Sequence, residues 1–366
     1  MRAKLLATVD RLAPEILAVS RYVHSHPEEG LQETLCSKFL SRRLARLGFK
    51  VERPLKSLPT AFIASSRGAK RGPCVGYVAE YDCLPGIGHG CGHNLIAASG
   101  FGAAAALAPF ARELGGSVRL FGTPAEEEFG AKVPMARAGL FDSADAVLMM
   151  HPESFHLART SGLALDALQF RFLGRASHAA CTPHEGRSAL DALIRLFNAV
   201  KAMRRRVHGI ITKGGTAPNI IPGLTEARFY VRAETRRRLD KITSRVKACA
   251  RRAASAEGCR VEITEFESPL DEVRNDPKLV ALAEKNLRSL GVRRILSKDP
   301  CPGSTDFGNV SQRVPALYLY CATAPKGMDL HTRAFARASA APRAHKALIL
   351  AAKTLALCGL DLLLRR

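Results

Sequence analysis

Residues 74–94 read CVGYVAEYDCLPGIGHGCGHN: an apolar run Cys74–Ala79, a glycine-rich turn carrying acids, thiols and imidazoles, and at Asn94 the entry to a second apolar stretch. A short apolar strand feeding through a turn into a helix is the building unit of an α/β domain. The unit repeats outward from this point. Helices are expected at Ala3–His24, Glu33–Leu47 and Leu95–Leu114, the last capped by Asn94, and strands at Cys74–Ala79, Ser117–Thr123 and Ala146–Met150. From Ser161 the pattern changes. Leu163–Leu173 alternates as a strand, Arg187–Arg206 is helical, Gly209–Lys213 and Thr225–Arg232 are strand-like, Arg236–Ser255 is helical and Cys259–Phe266 is a strand. The order β-α-β-β-α-β is that of a ferredoxin-like unit. After Glu267 the first style returns, with a helix at Asp276–Leu290, a strand at Ala316–Tyr320 and a terminal helix from about Ala340. The expected architecture is α/β: a discontinuous α/β/α domain over 1–160 and 268–366, interrupted by a ferredoxin-like insert over 161–267.

A chain of 366 residues suits two domains, and 47% hydrophobic with 24% charged residues is a globular balance. The richest apolar stretches, Leu95–Leu107 and Ala347–Leu364, carry polar residues or stop short of the roughly 18 residues of a membrane span. Asp10, Arg11 and Glu15 interrupt the start, so no signal-peptide core forms. Ten cysteines without paired spacing read as reduced thiols. A soluble, cytoplasmic protein is expected, with no membrane partner. The net charge of +22 raises nucleic acid or anionic substrates as partners; 20 basic and 10 acidic residues lie between Ser161 and Glu267. Six tyrosines, no tryptophan and no aromatic-plus-basic motif leave little for stacking on bases.

The chemistry gathers after the strands. In an extended segment His89, Cys91 and His93 share a face, and thiolate with imidazole suits zinc. Glu126, Glu127 and Glu128 follow the strand Ser117–Thr123 and repel one another unless a cation sits among them or they face water. Ligands in open α/β sheets gather beyond the carboxyl ends of strands, which is where both clusters fall. His151 ends a third strand and His331 follows a fourth. Cys, His, Glu, His and His delivered by four strand ends make a metal-site inventory.

These motifs, in this order, resemble the aminoacylase and glutamate-carboxypeptidase family of metallopeptidases, in its amidohydrolase branch. The resemblance spans His24-Ser25-His26-Pro27-Glu28 to His331-Thr332-Arg333 and is most specific at Asp82-Cys83-Leu84-Pro85, Gly90-Cys91-Gly92-His93-Asn94, Pro124-Ala125-Glu126-Glu127, Gly174-Arg175-Ala176-Ser177-His178-Ala179-Ala180 and Ser304-Thr305-Asp306-Phe307-Gly308. It implies that Cys91, His93, Glu127, His151 and His331 bind two divalent ions per subunit, with Glu126 as general base and Asp82 orienting the metal site. Thiolate favours zinc, while carboxylate and imidazole also admit manganese, cobalt or nickel. It further implies that the insert is a lid and dimerisation domain, that His178 reaches a neighbouring subunit's site to bond the developing oxyanion, and that Asn219 touches substrate. Other branches carry a histidine ligand where this chain has Glu80.

Arg232, on an insert strand, is a candidate for a substrate carboxylate or for an acid of the insert. Glu128 reads as solvated, His24 and His26 as the end of a helix before Pro27, and His89 as a neighbour of the ligands. Arg204-Arg205-Arg206 and Arg236-Arg237-Arg238 read as solvated faces of insert helices. The expected function is hydrolysis of the amide bond of N-acyl amino acids or small dipeptides by a homodimer. The competing readings are a basic nucleic-acid-binding protein and a catalytically silent scaffold on the same fold.

Overall fold

The computed structural model describes residues 1–55, 58–68 and 72–364. The chain divides into two units, Met1–Ser161 with Val273–Arg366, and Gly162–Glu272. Before the insert come α1 (Arg2–Ser25), α2 (Thr34–Arg46), β1 (Lys50–Glu52), β2 (Phe62–Arg67), β3 (Cys74–Glu80), α3 (His93–Glu113), β4 (Ser117–Thr123), α4 (Lys132–Arg137) and β5 (Ala146–Glu153). The insert holds β6 (Ala164–Leu173), β7 (Ser177–His178), α5 (Ala189–Val200), β8 (Val207–Lys213), β9 (Ile220–Ile221), β10 (Leu224–Ala233), α6 (Arg236–Ala256) and β11 (Arg260–Glu265). The chain finishes with α7 (Pro277–Ser289), α8 (Phe307–Ser311), β12 (Ala316–Ala322), α9 (Arg333–Ala338) and α10 (Pro342–Leu364).

In the first unit six strands form one sheet in the order β1-β2-β4-β3-β5-β12. β4, β3, β5 and β12 are parallel neighbours, so their carboxyl ends lie side by side. A parallel sheet must be covered on both faces. One face, with Tyr77, Leu120 and Leu148, packs on α1, α3, α7 and α10; the other, with Val78, Phe121 and Met149, packs on Met135, Phe141 and Phe307. The antiparallel edge pair β1 and β2 has no counterpart in the sequence reading. Ser65 and Ser66 blur the apolar alternation of β2, and it is pairing with β4, Phe62 opposite Gly122, that holds it extended.

α3 lies against β3 at a distance only glycine permits, since a Cβ on Gly100 would stand 2.3 Å from the Val78 carbonyl oxygen. α3 and α10, at 21 and 23 residues, are long and apolar enough by composition to cross a membrane, which the sequence reading placed out of reach; here both apolar surfaces are spent on the core. Asn94 does not cap α3. The helix begins at His93 after Gly92, and the Asn94 amide instead donates to Ser20 Oγ at 2.9 Å and Ser339 O at 3.2 Å.

The second unit has a four-stranded antiparallel sheet in the order β11-β6-β10-β8, with Phe170, Phe172, Phe229 and Val231 buried against Leu193, Leu196, Leu239 and Val246 of α5 and α6. The unit ends at Glu272, not at Glu267, because Leu270 bridges to Leu165 and Arg236 binds this tail. Arg236 is not part of a solvated face. It donates to Asp166 at 2.6 Å, Asp271 at 2.9 Å and Leu270 O at 2.6 Å. Arg204–Arg206 lie in a turn, since α5 ends at Val200 and a short 3-10 segment at Met203.

Candidate metal centre

The carboxyl ends of β3, β4, β5 and β12, with the start of α3, bring the expected residues of the first unit together. Cys91, His93 and His151 offer ligand atoms all within 4.8 Å of one another, and so do Cys91, Glu127 and His331. The two groups share the Cys91 thiol. Gly92 turns the chain between Cys91 and His93 with φ +74°, where a Cβ would meet the Pro152 ring at 2.9 Å, so the spacing of these two candidate ligands depends on glycine. Two non-glycine residues here also adopt positive φ, Ala125 at 50° and His331 at 60°. Such backbone costs of order 1–3 kcal/mol per residue and persists only where neighbours hold it. Glu33, buried behind the turn, holds Ala125 by accepting its N–H at 2.7 Å, and Gly90 O accepts the His331 N–H at 2.9 Å.

Both buried histidines have their tautomers set by oxygen acceptors. His93 Nδ1 lies 2.9 Å from Asp82 O and 3.0 Å from Asp82 Oδ1, and His151 Nδ1 lies 2.8 Å from Pro152 O. A ring nitrogen bonded to a carbonyl must carry the proton, so Nε2 of each ring keeps its lone pair for the cluster. His93 Nε2 and Glu127 Oε1 are buried without a hydrogen-bond partner, and His151 Nε2 stands 3.3 Å from Cys91 Sγ. Buried polar atoms left unpartnered on converging side chains are what a divalent ion satisfies, and the thiolate, imidazole and carboxylate set fits one.

Burial opposes a charge on His93, yet Asp82 holds its pKa well above the ordinary value for histidine, so that without an ion the ring takes a second proton at Nε2, the proton a divalent ion would displace. Burial would raise Asp82, but His93 and the N–H of Glu127, which donates to Asp82 Oδ2 at 3.1 Å, keep it below the ordinary value. Burial, then Glu127, pushes the Cys91 thiol well up, and burial pushes His151 down to about 3. A bound cation reverses the penalty on the thiolate. Glu126 is pushed well up by burial and then by Glu80 and Glu127, an acid held among other acids.

The other candidates fall elsewhere. Glu128 is exposed. The Nε2–H of His89 donates to Val23 O at 2.8 Å, and burial pushes this histidine down to about 3, while the Nε2–H of His24 donates to Ala336 O at 2.9 Å. In the second unit, pairing of β7 with β9 places His178 opposite Ile220 and beside Asn219, whose carbonyl accepts the Ala179 N–H at 3.0 Å. The His178 Nδ1 accepts the N–H groups of Ala180 and Cys181, both at 3.2 Å, which leaves Nε2–H as an exposed donor. Arg232 lies on β10 with its guanidinium 4.8 Å from the Tyr230 ring centroid. The sequence reading assigned nothing to Lys132, Glu33 or Asp306 individually. Lys132, a charge opening a short helix directly before the apolar Val133-Pro134-Met135-Ala136, was the available signal.

The profile of peptidase family M20/M25/M40 matches residues 78–353. An Xaa-Arg dipeptidase of Mus musculus is 34% identical, over 100% of this chain and 89% of that protein. A p-aminobenzoyl-glutamate hydrolase polypeptide of Escherichia coli (strain K12) is 29% identical, over 94% of this chain and 88% of its own. Among solved structures, a dinuclear metal-binding peptidase of the M20 family from Bacillus subtilis superposes with a TM-score of 0.74 at 23% identity, covering 97% of this chain and 99% of that one. The nucleic-acid-binding and silent-scaffold readings gain no support from these enzymes.

Proposed function

The chain belongs to peptidase family M20/M25/M40 and is a hydrolase of amide or peptide bonds, and on that premise we propose that it cleaves small dipeptides or N-acyl amino acids with two divalent ions held by Cys91, His93, Glu127, His151 and His331. The observation that carries this is the pair of ligand groups sharing Cys91, with His93 Nε2 and Glu127 Oε1 buried and unpartnered. Bound ions supply Lewis acidity that makes water nucleophilic near neutral pH. Glu126 accepts the proton of the attacking water and returns it to the leaving nitrogen. Asp82 orients the His93 ring and the Glu127 backbone together. The Nε2–H of His178 bonds the oxyanion of the tetrahedral intermediate, supplied by the partner subunit of a homodimer that forms through the insert, with Asn219 beside it on the substrate. Arg232 binds the substrate carboxylate. Zinc is the native ion, because the shared ligand is a thiolate. Ten free thiols support a reducing, cytoplasmic location.

One feature narrows the substrate. On β5, Glu153 shares a strand face with His151, and its carboxyl is pushed up by burial and further by Asp299 and Asp329. These acids suit a cationic side chain on the residue released, as in the Xaa-Arg dipeptidase relatives. Metal analysis of the purified protein, followed by a panel of Xaa-Arg and Xaa-Lys dipeptides against Xaa-Ala dipeptides and N-acyl amino acids, tests this. Two ions per chain and kcat/KM at least about tenfold higher for the basic dipeptides are expected, one charge-assisted contact contributing about 1.5–3 kcal/mol. A metal-free active enzyme would overturn the mechanism, and indifference to the basic residue would overturn the narrower substrate.

A further inference from the structure

Among the described residues Lys132 is the only lysine or arginine that is buried. It opens α4, its Nζ 2.7 Å from Asp306 Oδ1 and 2.6 Å from Glu80 Oε1, and its backbone N–H donates to Asp306 Oδ2 at 2.9 Å. The ammonium pairs with both carboxylates, and Asp306 alone also accepts the lysine's backbone N–H. Asp306 thus anchors the lysine at two points, and Glu80 is held by charge. The other oxygen of Glu80 lies 3.5 Å from His93 Nε2, so this pair adjoins the metal centre.

Glu126 completes the arrangement. Carboxylate oxygens of Glu80, Glu126 and Asp306 lie within 4.8 Å of one another, a spacing that suits a divalent ion. Two buried carboxylates and a half-buried one repel each other unless a cation stands among them. The cation present is the ammonium of Lys132, kept charged against burial by Asp306, Glu80 and Glu126. Unlike a free ion it is tethered to the chain, carries one charge and cannot exchange. A pocket left open here, next to a two-ion centre, would draw in another divalent ion with Glu126 as a ligand, and a ligated Glu126 cannot take a proton.

We propose that Lys132 is a positioning residue whose ammonium fills the carboxylate pocket of Glu80, Glu126 and Asp306, excluding a divalent ion from it and keeping Glu126 free for proton transfer. The proposal rests on the two-ion function above. Glu80 is then a partner of Lys132 and not a metal ligand, which accounts for an acid at this position.

The test compares wild type, Lys132→Met and the double variant Glu80→Gln with Lys132→Met, each stripped by chelator, reloaded at one fixed free Mn2+ concentration and counted by elemental analysis. Lys132→Met should hold about one ion more per chain than wild type, with kcat lower by at least about a hundredfold and KM within about threefold, the signature of a lost proton acceptor. The double variant removes a carboxylate along with the ammonium, so its ion count should return to that of wild type and its kcat should recover at least about tenfold. The difference between variant and wild type tests Lys132, while the wild-type count alone tests the two-ion function, so the two can fail separately. Equal counts in wild type and Lys132→Met overturn the proposal, as does a kcat loss that the double variant does not relieve. Should Lys132→Met not fold, the double variant decides: a wild-type ion count with turnover within about tenfold of wild type supports the proposal, and a greater loss or a different count overturns it.

Discussion

In the first unit buried Asp82 receives the buried His93 ring at 3.0 Å and the half-buried Glu127 amide at 3.1 Å, and Glu33 grips the strained turn before Glu126; in the inserted unit His178 stands exposed on a two-residue strand, its ring steadied by two backbone N–H groups. The contrast follows from what each group must do. The candidate ligands Cys91, His93 and His151 are fixed and dehydrated by burial, whereas His331 stands exposed at the edge of the cluster. A donor that serves charge appearing only during the reaction needs its proton on the right nitrogen and its other face open. Side chains of the first kind tie reactivity to stability, and those of the second do not.

The largest effect should come from Glu126→Gln, which cannot accept the proton but leaves the ligand groups whole. Turnover should fall by about a hundredfold to ten-thousandfold with metal content near that of wild type. Retained activity, or retained metal in Glu127→Gln, would show that the two carboxylates have been assigned the wrong way round. Next is His178→Ala, expected to cost about a hundredfold to a thousandfold in kcat while the melting temperature stays within about 1 °C, because the side chain is exposed. Neither variant alone is active, yet random exchange between them makes about half the dimers mixed, each with one restored site, so activity should recover to about a quarter of wild type. No recovery, with subunit exchange confirmed, would place His178 in the reaction of its own chain or outside it.

The smallest effect tests whether burial in the first unit couples site to stability. Burial, then Asp82, raises the Glu33 pKa from 4.5 to about 7, so the folded metal-free protein holds this proton more tightly than the unfolded chain. The stability that goes with it is complete below about pH 4.5 and is lost as pH rises through about 7. Glu33→Gln does not titrate. Its melting temperature relative to wild type should therefore rise between pH 5 and pH 8, by on the order of a few degrees, and parallel profiles would mean that Glu33 shares the same environment in both states.

Much of this was legible in the chain itself. Runs such as Cys74–Glu80 and Ser117–Thr123, and the alternation of Ala164–Leu173, declare their elements because a period of two or 3.6 is local information. The candidate ligands were legible too, since they follow strand ends that the parallel order sets side by side. The capping role expected of Asn94 failed because the helix starts one residue earlier, after left-handed Gly92, and the Asn94 amide is taken by Ser20 and Ser339, residues far from it in sequence. Local pattern thus determined the α/β class, the inserted βαββαβ unit and the candidates Cys91, His93, Glu126, Glu127, His151, His178 and His331. Only the tertiary structure decided which buried charges neutralise which. Lys132 and Asp306 are 174 positions apart, and Glu33 and Ala125 are 92 apart. Nothing in either segment names its partner, because that pairing is set by strand order and helix packing, and the cost of burying an unpaired charge is felt only once those segments have met.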